Sequence, residues 1–434
     1  MGSDWPEIPV ADVCNIFLGG TPKRSEPTYW GGSIKWASAK DVANCRTRYL
    51  TFTEETITQK GLDNSAAKLL DKNTIVITAR GTVGALCMLG EPMSFNQTCY
   101  GLVGLPGTSS HYLYYALKAA IAQIRSISYG TVFDTITMKS FTNLMVPLPS
   151  RDQQLAISHI LGSLDDKIEL NRRMNKTLES MARAIFKSWF VDFDPVRAKA
   201  EGRDTGLPEE IAELFPDSFE DSELGEIPAG WESRSLYESA KYINGAAYRN
   251  SHFTDEEGAL PVVKIAELKN GVTGQTKFTK TELDDKYRIS DGEILLSWSG
   301  NPDTSIGTFV WCGGPAWLNQ HIFRVLPYQA IEKHFVFYLL KYLRPVFAEI
   351  ARDKQTTGLG HFTVRDMKQL IVVHPPKKLL VTFNDFVGPI FDQSYGNLFE
   401  SNTLASLGYT LLPRLISGEL RVPDAEKFVE EAGV

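Results

Sequence analysis

The longest regular pattern in the chain lies at residues 150–190, which read SRDQQLAISHILGSLDDKIELNRRMNKTLESMARAIFKSWF. Within this stretch, apolar residues and two asparagines are separated by alternating steps of four and three. They are Ile157, Leu161, Leu164, Ile168, Asn171, Asn175, Leu178, Ala182, Ile185 and Trp189. Because this spacing places the residues on one face of a helix, it predicts the seam of a coiled coil.

The same seam occurs a second time, 226 residues later. Its positions are Phe383, Val387, Ile390, Ser394, Asn397, Ser401, Leu404, Gly408, Leu411 and Leu415. In both seams, polar residues interrupt the apolar series at the same distance from the start of the seam, as Asn171 and Asn397 show. Two helices with matching seams predict an antiparallel pair within one chain, and the sequence leaves pairing between two chains open.

Each predicted helix is long enough to act as a spacer. About 40 residues with a rise of about 1.5 Å each give a rod of roughly 60 Å. Ser150 and Gln153 fit a capping box at the start of the first helix, and Asp194-Pro195 ends it, because a residue before proline avoids the helical region. A dimerisation device is the alternative interpretation, which the duplication makes less favoured.

The composition is that of an ordinary globular protein. The chain has 434 residues, of which 43% are hydrophobic, and this length suits two or three domains. No apolar run approaches the ~18 residues needed to cross a bilayer, so we expect a cytosolic protein. The five cysteines form no C-x-x-C pair, so we expect neither a zinc site nor disulfides. A net charge of −7 argues mildly against nucleic-acid binding.

Two globular regions share one order of elements. Short β-like runs, a helix over 111–127 and a closing strand precede the first long helix, and the order repeats after residue 230 with a helix over 333–351. The predicted fold class is α+β, with two repeated mixed α/β globular domains separated by two long antiparallel helices in a pseudo-twofold arrangement. The predicted bounds are 1–149 and 231–376 for the two domains, 150–191 and 377–421 for the helices, 192–230 for a connector, and 422–434 for a frayed tail.

No catalytic signature is present in the sequence. His374-Pro375-Pro376-Lys377 is the nearest approach to the [DNS]-P-P-[YFW] motif of amino-methylating enzymes. Gly81-Thr82-Val83-Gly84 is too short for a P-loop and lacks its Lys-Ser/Thr pair. The G-x-S-x-G and H-E-x-x-H patterns are absent, and the histidines are scattered. We therefore expect a chain that is not an enzyme by itself and has no catalytic or metal-binding residues.

The loops of both globular regions carry polar side chains beside glycine, which suits hydrogen bonding to base edges and phosphates. Each of these side chains, taken alone, also fits an ordinary polar loop position. The predicted DNA-binding residues of the first region are Lys35, Ser38, Lys40, Arg80, Thr82, Gln97, Tyr129, Thr131 and Thr135. Those of the second region are Lys264, Lys269, Ser299, Asn301, Gln320, Gln355, Thr356, Thr357 and His361.

Three features together resemble the specificity subunit of type I restriction-modification systems. They are the helix end at residues 187–195, KSWFVDFDP, the linker at residues 221–231, DSELGEIPAGW, and the repeated Asn96-Gln97 and Asn319-Gln320 pairs. Gln153-Gln154 and the LISGEL stretch at residues 415–420 are also typical of the family. The resemblance covers essentially the whole chain.

The resemblance implies a function and a set of partners. In this family two target recognition domains each read one half of a bipartite DNA sequence, and the helices set the gap between the halves. The implied partners are double-stranded DNA, two methylation subunits and restriction subunits, with no membrane. Those subunits are expected to use S-adenosylmethionine, ATP and magnesium, whereas this chain is expected to bind no cofactor. The alternative is a coiled-coil scaffold that binds proteins without DNA specificity.

Overall fold

The computed structural model describes residues 5–127, 135–355 and 359–433. The first region contains strands β1 (Glu7–Pro9), β2 (Cys14–Leu18), β3 (Trp30–Ala37), β4 (Tyr49–Leu50), β5 (Glu55–Ile57), β6 (Ile75–Thr78), β7 (Leu86–Leu89), β8 (Ser94–Phe95), β9 (Cys99–Gly104) and β10 (Met145–Pro147). Its helices are α1 (Val10–Val13), α2 (Ala39–Asn44), α3 (Gln59–Asp63), α4 (Ser110–Ile127) and α5 (Met138–Asn143).

A long helix and a connector follow. They comprise α6 (Arg151–Phe190), α7 (Asp194–Ala200), α8 (Glu209–Ala212) and the hairpin of β11 (Phe219–Ser222) and β12 (Gly225–Pro228).

The second region contains strands β13 (Glu232–Ser235), β14 (Lys241–Asn244), β15 (Leu260–Val263), β16 (Phe278–Thr279), β17 (Arg288–Ile289), β18 (Ile294–Ser297), β19 (Ser299–Gly300), β20 (Gly307–Val310), β21 (Ala316–Leu318), β22 (Ile322–Leu326), β23 (Gly360–His361) and β24 (Ile371–His374). Its helices are α9 (Ile265–Asn270), α10 (Lys333–Tyr342), α11 (Arg344–Asp353) and α12 (Val364–Gln369). The chain ends with α13 (Lys377–Ile416) and α14 (Val422–Glu431). Among the described residues, no helix combines the length and apolar character needed to cross a membrane.

The chain divides into two compact units. Unit 1 comprises Met1–Leu170 and Thr403–Val434, and unit 2 comprises Asn171–Asn402. Each unit therefore contains one globular region and one part of each long helix. The cores are separate in composition: Tyr112, Leu117 and Ile157 lie in the core of unit 1, and Phe335, Phe362 and Phe383 in that of unit 2.

The two units share their sheet topology. In unit 1, β2, β9, β6, β7 and β4 form one sheet in that order, and β5, β3 and β8 form another. In unit 2, the corresponding sheets have the orders β14-β22-β18-β20 and β16-β15-β21-β17. The central pairing of the second sheet is parallel in both units, between β3 and β8 and between β15 and β21. The repeat predicted from the sequence is thus a repeat of strand order.

A tight backbone crossing also recurs in both units. Gly19 N donates to Cys99 O at 3.1 Å, and Gly245 N donates to Ile322 O at 3.0 Å. A Cβ atom at Gly19 would lie 2.1 Å from Asn96 O, and one at Gly245 would lie 2.2 Å from Asn319 O. Both positions therefore require glycine for close backbone approach.

The two long helices pair as predicted. Each has 40 residues, and their starts, 151 and 377, and their ends, 190 and 416, both lie 226 residues apart. In unit 1, Leu161 and Leu164 share a core with Leu404 and Leu411. The pairing is antiparallel in unit 2, where Asn171 contacts Ser401 while Asn175, further along α6, contacts Ser394, earlier in α13.

The start of α6 has the predicted capping box. The Ser150 amide donates to Gln153 Oε1 at 3.2 Å, and the Gln153 amide donates to Ser150 Oγ at 3.4 Å. The helix ends before Phe193, which adopts a left-handed conformation with φ of 57°. The two bonds of the capping box at the start of α6 satisfy amide groups that have no partner inside the helix.

Three sequence expectations were wrong. The predicted single helix over 333–351 is interrupted at Leu343, because Pro345 favours the first turn of a new helix, α11. Helix α13 ends at Ile416 and not at residue 421. Gly418, with φ of 69°, follows the end of the helix. The tail is not frayed, since α14 buries Ala425 and Val429 in the core of unit 1.

The connector has more structure than a solvated linker. The short helix α8 begins directly after Pro208. Val196 and Phe215 are buried in the core of unit 2, and Phe215 packs edge-on against Trp189 with ring centroids 5.3 Å apart. The apolar side chains of this segment, which we had not assigned to a core, anchor it to the end of α6.

Candidate nucleic-acid interface

Each unit gathers several predicted DNA-binding residues at one edge of its main sheet. In unit 1, β6 ends at Thr78, and the Ala79 amide donates to Thr98 O at 2.7 Å. The Ile136 amide then donates to Ala79 O at 2.9 Å. These bonds bring residues 79–82, 96–98 and 135–136 together, and we name this group edge 1.

Unit 2 builds the same arrangement. Strand β18 ends at Ser297, the Trp298 amide donates to His321 O at 3.3 Å, and the Phe362 amide donates to Trp298 O at 2.8 Å. Residues 298–301, 319–321 and 361–362 are thereby held together, and we name this group edge 2. Ser299 and His361 face each other in the β19–β23 pair.

Edge 1 contains four of the predicted residues. Arg80, Thr82 and Gln97 are exposed, and Thr135 is half-buried. Gln97 Oε1 accepts a hydrogen bond from Thr21 Oγ1. Because Arg80 is exposed at a strand end, its guanidinium is available to phosphate or to guanine, its usual partner in the major groove.

Edge 2 contains another four. Ser299 is buried, Gln320 and His361 are half-buried, and Asn301 is exposed. Asn301 Oδ1 accepts from the amides of Asp303 at 3.0 Å and Thr304 at 3.1 Å, so this side chain shapes its own loop. Its role as a base contact remains a prediction.

Other predicted residues are engaged in local structure. Lys35 Nζ lies 2.6 Å from Glu91 Oε1, and Lys40 Nζ lies 2.7 Å from Glu54 Oε1. Ser38 caps α2, since the Asp41 amide donates to its Oγ at 3.1 Å. These contacts engage polar groups that the sequence predicts as DNA-binding.

The remaining predicted residues of unit 2 lie around α9 and after α11. Lys264 occupies the position matching Ser38, and its amide donates to Glu267 Oε2 at 3.0 Å. Lys269 is exposed near the end of α9, and Gln355 is exposed after α11. Tyr129, Thr131, Thr356 and Thr357 lie outside the described residues.

Three residues of unit 2 that belong to this neighbourhood are not among the predicted ones, namely Asn244, Trp298 and His321. The Trp298 ring lies 5.7 Å from the rings of both His321 and His361. Trp298 Nε1 donates to Asn244 Oδ1 at 2.9 Å. The sequence signal for two of them was their position in the repeat, since Trp298 directly precedes Ser299 and His321 directly follows Gln320. Both Ser299 and Gln320 are predicted residues.

Two cationic side chains of α11 contact the loop that follows β19 of edge 2. Arg352 Nη2 lies 2.7 Å from Asp303 Oδ1, and Arg344 Nε donates to Ile306 O at 3.2 Å. Burial lowers the pKa of Lys269, and the positive charge of Arg344 lowers it further. Positive charge beside a hydrogen-bonding edge suits the phosphates that flank a base contact.

Metal chemistry has no evident site in the part of the chain that is described. No group of three or more His, Cys, Asp and Glu side chains could hold an ion there. The five cysteines are free thiols, and four of them are buried.

The family model for the type I restriction modification DNA specificity domain matches residues 2–180 and 228–379 of the chain. The chain belongs to this family. It is the non-catalytic DNA specificity subunit of a type I restriction-modification system, as the sequence predicted. The alternative of a protein-binding scaffold without DNA specificity is not supported.

Specificity subunits of known systems align with most of the chain. That of the type I restriction enzyme MjaIX from Methanocaldococcus jannaschii is 28% identical over 431 residues, which cover 97% of this chain and 94% of the relative. That of HindI from Haemophilus influenzae is 29% identical over 348 residues, covering 69% and 73%. The crystal structure of the S subunit from M. genitalium matches with a TM-score of 0.56 and 15% identity, covering 95% of this chain and 96% of that one. The last likeness confirms the fold of this specificity subunit.

Proposed function

We propose that unit 1 and unit 2 each read one half of a bipartite DNA site, through edge 1 and edge 2 respectively. The observation that carries this proposal is that one backbone frame occurs in both units, with Ile136 bonded to Ala79 as Phe362 is bonded to Trp298. A frame that is kept while its loop side chains change suits two different half-sites.

The paired helices α6 and α13 set the gap between the half-sites. Two readers on a stiff spacer bind jointly only when the half-sites have the matching separation and rotational phase, because their effective concentration falls otherwise. The buried seam residues Leu161 and Leu411 of unit 1, and Ala182 and Val387 of unit 2, stabilise the pair. A fixed helix length therefore becomes a fixed gap.

The subunit works with catalytic partners. We propose that two methylation subunits bind the helices and that restriction subunits join for cleavage. S-adenosylmethionine, ATP and magnesium are used in those partners, and this chain binds none of them. The methylation subunit extrudes its target base from the duplex, and the specificity subunit determines which base is presented.

Insertion of one heptad into both helices tests the spacer. Seven residues placed after Leu170 and seven after Asn402 keep both seams in phase. The added length, about 10 Å, equals the rise of about three base pairs, and the helical phase of the duplex further limits which longer gaps fit. We expect methylation mapping to give the same two half-sequences separated by a longer gap. An unchanged gap would contradict the spacer role.

Salt dependence tests DNA binding itself. In the complex with methylation subunits, the affinity for the bipartite site should fall steeply as salt rises, because phosphate contacts release counterions. For the heptad insertions, the matched control is a seven-residue insertion after Tyr328, an exposed residue beyond β22. This insertion should leave the gap between the half-sites unchanged. Binding that is insensitive to salt and to sequence would overturn the proposal.

A further inference from the structure

Four structurally matched positions differ in side chain between the two edges. Their backbones are held by equivalent bonds, from Ala79 N to Thr98 O in edge 1 and from Trp298 N to His321 O in edge 2. The matched pairs are Ala79 and Trp298, Arg80 and Ser299, Thr98 and His321, and Thr135 and His361. Neighbouring positions are the same in both units, with Asn96 and Gln97 matching Asn319 and Gln320.

Edge 2 holds a fixed aromatic cluster. The indole of Trp298 is anchored by its bond to Asn244 Oδ1 at 2.9 Å. The imidazoles of His321 and His361 each lie 5.7 Å from it, at interplanar angles of 46° and 47°. Packing against a rigid indole restricts both imidazoles, so their nitrogen atoms are presented in defined directions.

Two adjacent side chains of edge 2 carry polar atoms that lack a partner. Gln320 Oε1 and His321 Nδ1 are buried and accept or donate no hydrogen bond among the described residues. In unit 1 the matching Gln97 Oε1 is satisfied by Thr21 Oγ1. The residue of unit 2 that corresponds to Thr21 is Ala247, which has no hydroxyl group. Gln320 Oε1 therefore lacks the donor within the chain that Gln97 Oε1 has.

These groups have the chemistry of a base reader. Burial lowers the pKa of His321, and the charge of His361 lowers it further, so the neutral imidazole offers one donor and one acceptor. A glutamine amide likewise offers both and pairs with the N6 and N7 atoms of adenine. Buried polar atoms are normally satisfied, so two adjacent unpaired polar atoms at edge 2 point to a ligand.

We propose that Gln320 and His321, held against Trp298, read a purine edge, preferably adenine, in the half-site recognised by unit 2. The four matched positions then make the two half-sites different, while the shared Asn-Gln pair keeps the frame. This inference rests on the proposed function, because it requires that edge 2 faces duplex DNA.

The test uses the full chain in complex with its methylation subunits. His321→Phe keeps an aromatic ring of similar size against Trp298 and removes both ring nitrogens, and Gln320→Leu removes the amide. The readout is genome-wide mapping of methylated adenines together with methylation rates on duplexes that vary one base at a time. Tyr328→Ala is the control, since this side chain is 63% exposed beyond the opposite end of β22.

We expect H321F to reduce the preference for the correct base about fivefold or more at one position of a single half-site, because a good base contact discriminates by at least that factor. The other half-site and the gap should stay unchanged, and Q320L should affect the same or the adjacent base pair. Y328A should leave all positions as in the wild type.

Two results would overturn the inference. One is a wild-type motif in both H321F and Q320L with the complex assembled. The other is an equal loss of preference in both half-sites, which would indicate a structural effect. If H321F fails to assemble, Q320L alone decides between these outcomes. Failure of the proposed function is distinguishable, since the wild-type complex itself would then show no bipartite motif.

Discussion

Asn397 donates a side-chain hydrogen bond to Asn175 across the helix pair of unit 2, with Nδ2 and Oδ1 2.9 Å apart. Gln393 Nε2 donates to Asn397 Oδ1 at 2.9 Å, and Asn171 Nδ2 donates to Asn397 O at 3.4 Å. Asn171 and Asn397 are both buried and occupy the same position of the repeat. A buried polar layer in a coiled coil disfavours other registers, because sliding the helices would leave amides unpaired.

We expect Asn397→Leu to lower the free energy of unfolding by about 1–2 kcal/mol, because the half-buried Asn175 loses its partner, whereas the exposed Gln393 can bond to water instead. Replacing Asn171, Asn175 and Asn397 together by leucine should recover that loss while relaxing the register. Urea unfolding checks the energies, and methylation mapping checks the register. A single sharp gap in the triple variant would show that the polar layer does not select the register.

The two tight crossings give a matched pair of glycine variants. A Cβ atom at Gly19 or Gly245 would collide with backbone oxygen, which cannot move as a flexible side chain can. We expect Gly19→Ala and Gly245→Ala each to lower the free energy of unfolding by about 3 kcal/mol. Gly274→Ala is the control, because no atom lies within 4 Å of its added Cβ, and its effect should stay within about 0.5 kcal/mol. Thermal unfolding of the three variants measures the difference.

Arg48 fastens the sheet of unit 1 to α6. Its side chain is only 9% exposed, with Nη2 2.6 Å from Asp166 Oδ1 and Nη1 3.4 Å from the hydroxyl of Tyr115. We expect Arg48→Met to cost about 2 kcal/mol of unfolding free energy, because the buried Tyr115 loses a hydrogen bond from a charged donor, whereas the exposed Asp166 stays hydrated and adds little. Lys40→Ala breaks an ion pair whose side chains are 67% and 55% exposed and should leave the free energy of unfolding nearly unchanged. Equal effects of the two substitutions in urea unfolding would contradict this assignment.

His374 should make unit 2 sensitive to acid. Burial lowers its pKa from 6.5 to about 4, and the charge of Arg234 contributes. Between these values the unfolded chain binds more protons than the folded one, so the unfolding free energy falls as pH drops from about 6.5 toward 4. His374→Leu should reduce the difference between urea midpoints measured at pH 7.5 and pH 5.

A part of the acid sensitivity should persist in that variant. Burial also lowers the pKa values of His334 and His321, which act in the same direction. His159→Leu, an exposed position on α6, is the control and should keep the wild-type difference. An unchanged difference in the His374 variant would show that this residue does not contribute.

The sequence predicted the long helices well because their signal is local and repeated. The seam positions Leu161, Leu164, Leu404 and Leu411 follow one period, and each is buried as expected. The capping box at Ser150 lies within four residues and was equally accessible to prediction. The interruption at Leu343 was missed, although Pro345 gave a local signal for it.

The candidate interface was predictable only in outline. Arg80, Gln97, Gln320 and His361 were chosen from their residue types, and the fold places them in edge 1 and edge 2. Lys35 and Lys40 were chosen on the same grounds, but their ammonium groups pair with Glu91 and Glu54. Those carboxylates are 56 and 14 positions away in the chain, and no local pattern announces such a partner.

The sequence by itself determined the repeat, the length of the long helices and the family of the chain, because periodicity and motif spacing are properties of consecutive residues. The tertiary structure alone decided which polar side chains find hydrogen-bond partners within the chain. Contacts between distant segments satisfy some of them, as Thr21 does for Gln97, and leave others unpaired, as at Gln320. Hydrogen-bond satisfaction depends on distance in space, and the fold, rather than chain order, sets that distance.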